Sequence, residues 1–487
     1  MDEVRAIAPA WVTEDEKQAV QHKQQQETVA QVEVDDCTDV KNALRFTKLH
    51  KEYLLFVEGI GWHFFDEKRW RYDPRKADIF AQEIGCQIRR EAIDFLRSAS
   101  ITELTQIERD AAHLKAEDLM GWAQSSESSM RIEAVLKRAQ CHMFATADSM
   151  DADSWALNCS NGTLDLRSGI LHPAKPEDRI TKMASVAYDP KAPCPLWEKS
   201  VLDICCGDTD LMGYLQRVLG YCLSGDISEQ TMFVFNGTGA NGKDTVLGRV
   251  IKAMGDYSGL AAPTLLIESK NDRHPTEIAD LMGIRMCIAS ETGDQGKLNE
   301  TLVKQFTGSE ELKGRHMRQD FFTFKNQSKI ILMTNHKPII SGTDYAIWRR
   351  LQLIPFNQRY VKGKNRDDSL WAKLDQRELP GILRWAVQGC LEWQRIGLQP
   401  PEVVERATQE YRQDQDVLGD FFDECCEFKY TYQITAKAFY ARYGKWCDEA
   451  GERPKSQKWL WPRLQERGIG KDKTMTGVNY RGVRLTK

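Results

Sequence analysis

The chain has 487 residues, 41% hydrophobic and 28% charged, with a formal net charge of −4; that length implies two to four domains of an ordinary globular protein. No apolar run approaches the ~18 residues of a membrane span, and the N-terminus lacks the basic start and apolar core of an export signal. The thirteen cysteines are scattered. The adjacent pairs Cys205-Cys206 and Cys425-Cys426 lack the CxxC spacing of a zinc site, so reduced core cysteines of a cytoplasmic protein are expected.

The mean charge hides an asymmetry. Residues 1–40 hold ten Asp/Glu against three Lys/Arg, and residues 451–487 hold ten Lys/Arg against three Asp/Glu. A basic end can meet phosphates even in an acidic chain, or can simply be a solvated surface.

In chain order, residues 1–40 are acidic and Gln-rich, with few large apolar side chains, and predict a flexible tail or lone helix. "YLLFVEGIGWHFFDEKRWRYDP" (Tyr53–Pro74) has a strand-turn-strand pattern, with Trp62 and Trp70 expected in the core. From Lys76 to about Thr146 apolar residues recur three and four apart, as in helices. "NCSNGTLDLRSGILHP" returns to a hairpin. These segments predict an α+β N-terminal domain over 41–190, ending near the Pro-rich "YDPKAPCPLW".

Beyond it, "DTDLMGYLQRVLGYCLSGD" is an amphipathic helix. The apolar runs "TMFVFNG", "RMCIAS", "SKIILMTNH" and "LQLIPF" alternate with helical stretches, which predicts an α/β core with a parallel sheet covered on both faces, over 191–375. A helical segment follows over 376–429. Residues 430–487 mix two helices with a terminal hairpin-like stretch, an order compatible with a winged-helix module or a protein-docking module.

Between the first run and the next helix lies "NGTGANGKDT". Read as G-x-x-x-x-G-K, it places Gly237 first, then Gly239, Asn241, Gly242 and Lys243. Glycines let the backbone wrap a phosphate and aim N–H groups at it. The following helix points its positive end at the same anion, and Lys243 would reach the β/γ-phosphates. The residue after the lysine is Asp244, where such loops carry a Ser or Thr for Mg²⁺. An unneutralised carboxylate ~4 Å from a phosphate charge costs about 4 kcal/mol at an effective dielectric of ~20, but a hard oxygen anion suits the metal between them. Thr245 lies about 100° further round the helix and should not simply substitute. A metal-dependent active site is expected; the alternative is a site that binds nucleotide and hydrolyses poorly.

The stretch "RMCIASETGDQGKLNETLVKQFTGSEELKGRHMRQDFFTFKNQSKIILMTNHKPIISGTDYAIWRRLQLIPF" resembles the phage/plasmid primase–helicases of superfamily 3, the group that includes satellite-phage and poxvirus replication helicases. The resemblance spans about residues 45–430 and implies an AAA+-like P-loop ATPase core. It implies Glu291, after Ser290 and near Asp294, as the Walker B acid with a metal or base role, Asn335 as the γ-phosphate sensor, and Arg349 and Arg350 as the arginine-finger region that acts from a neighbouring subunit. It makes Lys313, Arg315, His316 and Arg318 the DNA-facing residues of a channel hairpin. Each has a plain alternative: Glu291 as a strand-end carboxylate, Asn335-His336 as a turn, one arginine as an ion-pair partner, the hairpin as a solvated surface.

The resemblance thus implies an ATP- and Mg²⁺-dependent replicative DNA helicase of a phage, prophage or plasmid-like element, acting in a bacterial cytoplasm. It implies a hexameric homo-oligomer that translocates 3′→5′ on single-stranded or forked DNA. The rival is a nucleotide-assembled DNA-binding initiator or scaffold with little turnover. Residues 1–40 are too short for a primase module and 41–190 show no zinc-ribbon cysteines, so a separate primase or other replication proteins are expected partners.

Overall fold

The structure, a computed structural model, describes residues 37–101, 104–261, 265–268, 275–290, 296–315, 321–340, 345–451, 453–474 and 477–486. The expected tail lies outside the described residues up to position 36. The chain divides into two compact units, one ending at Thr146, the other running from Ala147 onward and taking in Glu67–Arg69. Among the described residues no helix is long and apolar enough to cross a membrane.

The first unit is α+β. A helix at Asp39–His50, capped by the Thr38 hydroxyl, leads into the strands Leu54–Val57, Gly61–Phe65 and Trp70–Tyr72. Helices follow at Pro74–Gln82, Ile84–Ile101, Gln106–Ser126 and Ser129–Ala139. Thr105 and Glu108 bond reciprocally across the start of the third of these, which satisfies two otherwise unpaired N–H groups. Trp62 and Trp70 are buried, as expected, and Trp62 packs with Phe46, Leu54, Ile84 and Ile88.

The second unit opens with a small antiparallel sheet, Ala156–Cys159, Gly162–Asp165 and Ile170–His172. The sequence placed a domain boundary near 190. In the structure Leu157, Leu164, Ala184 and Tyr188 share one core with the central sheet and its helices, so the compact unit begins at 147. The Pro-rich stretch is a helix entry instead: Pro195 sits in the first turn of α1 (Pro195–Ile204), where a missing N–H costs nothing. Next comes α2 (Thr209–Tyr221), N-capped by Asp208.

The central sheet has five strands, all parallel: β1 (Met232–Asn236), β2 (Ser258–Leu260), β3 (Met286–Ser290), β4 (Lys329–Thr334) and β5 (Leu351–Pro355). Their order across the sheet is β5-β1-β4-β3-β2. The four longer strands were legible because burial on both faces makes them continuous apolar runs. β2, three residues at an edge with Gly259 in the middle, carries no such signal. The helices that bear on the site are α3 (Lys243–Met254), α4 (Glu300–Gly308), α5 (Leu370–Arg377) and α6 (Leu379–Ile396). Register pairs Asn236 with Thr334 and with Pro355, and Ser290 with Met333. The carboxyl ends of β1, β3, β4 and β5 therefore line one rim, where open α/β sheets bind ligands.

At the opposite rim two cations are buried. Arg285 donates to the carbonyls of Leu223 (2.8 Å) and Ala156 (2.7 Å). Lys329 donates to the carbonyls of Ser224 and Gln327. Burial pushes the Lys329 ammonium down to about 7, against about 10.4 in an unfolded chain. Between these values the unfolded chain binds more protons, so this group's contribution to stability rises with pH from about 7 and is level below it. From pH 7 to 8.5, wild type should gain up to about 2 kcal/mol on Lys329→Met in urea unfolding; parallel pH curves would disprove it.

After helices at Glu402–Asp414 and Val417–Cys425, a strand at Cys426–Thr435 precedes helices at Ala436–Glu449 and Gln457–Glu466 and a hairpin of Gly470–Thr474 with Gly477–Leu485. The long last strand lies in the middle of this three-stranded sheet. The strand Cys426–Thr435 escaped the sequence pattern because most of its residues are exposed on both faces. No disulfide joins any of the cysteines among the described residues, and burial raises the thiols of Cys159, Cys205 and Cys222 to about 12.

Candidate nucleotide site and nucleic-acid hairpin

The glycine loop joins β1 to α3 at the carboxyl rim. Gly237 has no room for a side chain: a Cβ there would lie 2.4 Å from the Phe356 carbonyl oxygen. Gly242 has φ +90°, and its Cβ would strike Ile204 of α1 at 2.5 Å; only glycine adopts that geometry without strain. Gly239 also has positive φ, +91°. Asn241 is buried, and its side-chain Nδ2 finds no acceptor among the described residues. An orphaned buried donor beside a loop with no room for a side chain at Gly237 or Gly242 fits a bound phosphate.

Lys243 is the first residue of α3 and is buried. Its Nζ donates to the Gly237 carbonyl at 2.6 Å, the Thr334 carbonyl at 3.1 Å and Asn335 Oδ1 at 3.0 Å. The structure thus brings together two residues 92 positions apart that sequence alone could only nominate separately. Parallel pairing of β1 with β4 accounts for it, since Asn335 directly follows the β4 residue aligned with Asn236.

Asp244 is exposed in the first turn of α3, where the helix dipole favours a carboxylate and a cation can reach it. Thr245 is already engaged: its Oγ1 accepts the Trp371 indole N–H at 3.0 Å. Glu291 and Asp294 lie outside the described residues; β3 ends at Ser290. Among the described residues no cluster of three or more His, Cys, Asp or Glu side chains could hold a metal.

Arg349 and Arg350 precede β5. Arg350 is half-buried and fixed, donating from Nε to Thr307 Oγ1 on α4 (3.1 Å) and from Nη1 to the Ala346 carbonyl (2.8 Å). Arg349 is exposed and donates to Gln230 Oε1 at 3.3 Å. Because Leu351 pairs with Met232 and Pro355 with Asn236, both arginines stand at the rim opposite the glycine loop. Four strand steps separate the rims by roughly 13 Å, so they do not converge on Lys243 of their own chain.

Lys313 and Arg315 belong to a two-stranded hairpin, Glu311–Gly314 with Phe322–Lys325; His316 and Arg318 lie outside the described residues. Both described cations are exposed. They flank a residue the sequence reading passed over: Phe321, 49% exposed, has Lys313 Nζ 5.3 Å and Arg315 Cζ 4.8 Å from its ring centroid. An exposed ring between two cations can take a phosphate and a base or sugar together. The available signal was an aromatic pair shortly after a basic stretch, in "GRHMRQDFF".

A five-stranded parallel sheet with a glycine loop, a lysine on the next helix and an asparagine at the adjacent strand end is consistent with a P-loop ATPase core. Comparison with known proteins finds likenesses over two stretches of the chain. The family model described as "D5 N terminal like" matches residues 43–206, and a second, described as "Family of unknown function (DUF5906)", matches 235–350. The chain is 29% identical over 296 residues to "Putative helicase L207/L206" of Acanthamoeba polyphaga mimivirus, covering 57% of this chain and 31% of that protein. It is 21% identical to "Putative helicase 022R" of Frog virus 3, covering 64% and 41%, and 24% identical to "Primase D5" of Fowlpox virus, covering 45% and 30%. The chain is therefore similar, over two separate stretches, to D5-type viral primases and helicases. Its matched region spans about a third of the length of these curated relatives. Among solved structures, the apo NrS-1 C-terminal region (305–718) aligns with a TM-score of 0.37 at 12% identity, covering 65% of this chain and 88% of that one.

Proposed function

We propose that the chain is the ATP-hydrolysing motor of a replicative DNA helicase of a phage, prophage or plasmid-like element, with an AAA+-like core working as a hexameric ring. The observation that carries this is the Lys243–Asn335 contact of 3.0 Å at the carboxyl rim, which sets a phosphate-binding cation beside a side-chain amide able to sense a γ-phosphate or orient water. The strand order β5-β1-β4-β3-β2 supports the AAA+-like assignment. The glycine loop and Asn241 hold the phosphates, and Asp244 with Glu291 would hold Mg²⁺, which supplies charge neutralisation between phosphate oxygens. Arg349, exposed at the far rim, is the better finger candidate, and Arg350 the structural partner. Lys313, Arg315 and Phe321 meet the DNA strand without reading sequence.

The C-terminal connectivity, strand-helix-helix-hairpin with the last strand in the middle, supports a winged-helix module. It would present Gln457–Glu466 to a duplex, with Arg463 stacked on Trp459 at 3.8 Å.

Phosphate release measured with and without single-stranded DNA, together with unwinding of a forked duplex, tests this reading. DNA-stimulated turnover and strand separation are expected. Assembly on ATP with no phosphate release would favour the scaffold reading, for which Asp244 in place of a hydroxyl is the supporting observation. A separate expectation concerns that carboxylate: Asp244→Thr should retain ATPase activity while shifting its Mg²⁺ dependence, and an unchanged magnesium titration would count against a metal role.

A further inference from the structure

Trp371 is the one exposed tryptophan among the described residues, at 46%. It stands on α5, beside the first turn of the phosphate-loop helix. Its indole N–H is fixed on Thr245 Oγ1, two residues past Lys243. The Arg249 guanidinium lies 4.5 Å from the ring centroid. Arg249 is itself nearly buried, donates to the Trp371 carbonyl at 3.3 Å and pairs with Asp375, which also takes Lys252 at 2.8 Å. α5 is therefore clamped to α3 by an ion-pair cluster, and the ring is held in place at its N–H and by the neighbouring cation, with nearly half its surface open.

A fully solvated indole gains nothing from such immobilisation. Its location supplies a reason. With phosphates at the N–H groups of the first turn of α3, a ring bonded to Thr245, two residues past Lys243, would stand within a nucleotide's length of them. We infer that the open face of Trp371 is the stacking platform for the nucleobase of the bound nucleoside di- or triphosphate. The inference rests on the ATPase reading above and adds the residue that holds the base. A ring already ordered by Thr245 and the Arg249 cluster loses little freedom when the base arrives. Stacking on an indole tolerates any base, because each has a π-face.

The test compares titration calorimetry of ADP and of inorganic pyrophosphate, both with Mg²⁺, on the full chain and on Trp371→Ala and Trp371→Phe. Wild type should bind ADP more tightly than pyrophosphate. Trp371→Ala should weaken ADP roughly tenfold to a hundredfold and leave pyrophosphate within about twofold, since pyrophosphate has no base to stack. Trp371→Phe keeps a ring but not the N–H, and should retain most ADP affinity. Equal losses for both ligands in Trp371→Ala, or unchanged ADP affinity, would overturn the platform while leaving the ATPase reading intact. Failure of wild type to bind either ligand would overturn both.

Discussion

Lys243→Ala should lower DNA-stimulated ATP hydrolysis by at least two orders of magnitude. The ammonium is the only cation given by the glycine loop and first turn of α3, and its acceptors among the described residues, the Gly237 and Thr334 carbonyls and Asn335 Oδ1, are neutral. Phosphate oxygens are charged, and bonds between ionised partners are about twice as strong as neutral ones, so a bound γ-phosphate competes well for Nζ. Removing one preorganised donor from a developing oxyanion typically costs 10²–10³ in rate. The same change removes one donor each from the Gly237 and Thr334 carbonyls, which keep the N–H groups of Gly239 (2.9 Å) and Gly237 (3.3 Å), and it takes a buried side chain from the core of the loop. Thermal unfolding must therefore accompany the kinetics. A folded variant with less than a twofold fall in phosphate release would remove Lys243 from the reaction.

The second large effect separates the two arginines. Arg349→Ala should reduce turnover by about 10³ or more, the range known for arginine fingers, with ATP affinity little changed. Arg350→Ala should mainly lower stability, because it abandons Thr307 and the Ala346 carbonyl. Mixing provides a stricter check. Lys243→Ala subunits retain the arginine, and Arg349→Ala subunits retain the loop. Each alone should be inactive. A mixture should recover activity wherever an intact loop faces an intact Arg349. Mixed assemblies no more active than their separate components would refute delivery between subunits.

Much of this was readable along the chain because its determinants are local. The apolar runs of β1, β3, β4 and β5, the glycines of the loop and the start of α3 at Lys243 all sit within short windows. What escaped depends on contacts across long separations. Trp371 and Thr245 are 126 positions apart, and "SLWAKLDQR" reads only as an ordinary amphipathic helix. Arg349 and Arg350 are indistinguishable in sequence; their difference comes from whether α4 offers a hydroxyl. Arg285 and Lys329 begin apolar strands, and nothing local says that their charges turn back onto the carbonyls of Leu223 and Ser224. Near 190 the prolines mark a helix entry, with Pro195 in the first turn of α1, because proline suits that position as well as it suits a linker.

The placement of the loop and of Arg349 on opposite rims of one parallel sheet also bears on symmetry. Each subunit would offer a different surface to the neighbour before it and the neighbour after it. Contacts of that kind are heterologous, and they close only by rotation into a ring or fail to close and run on as a helix. A two-fold pair built on one such contact would leave one loop without an arginine and one arginine without a loop. Assembly would therefore have a handed direction around its axis, set by the polarity of the strands.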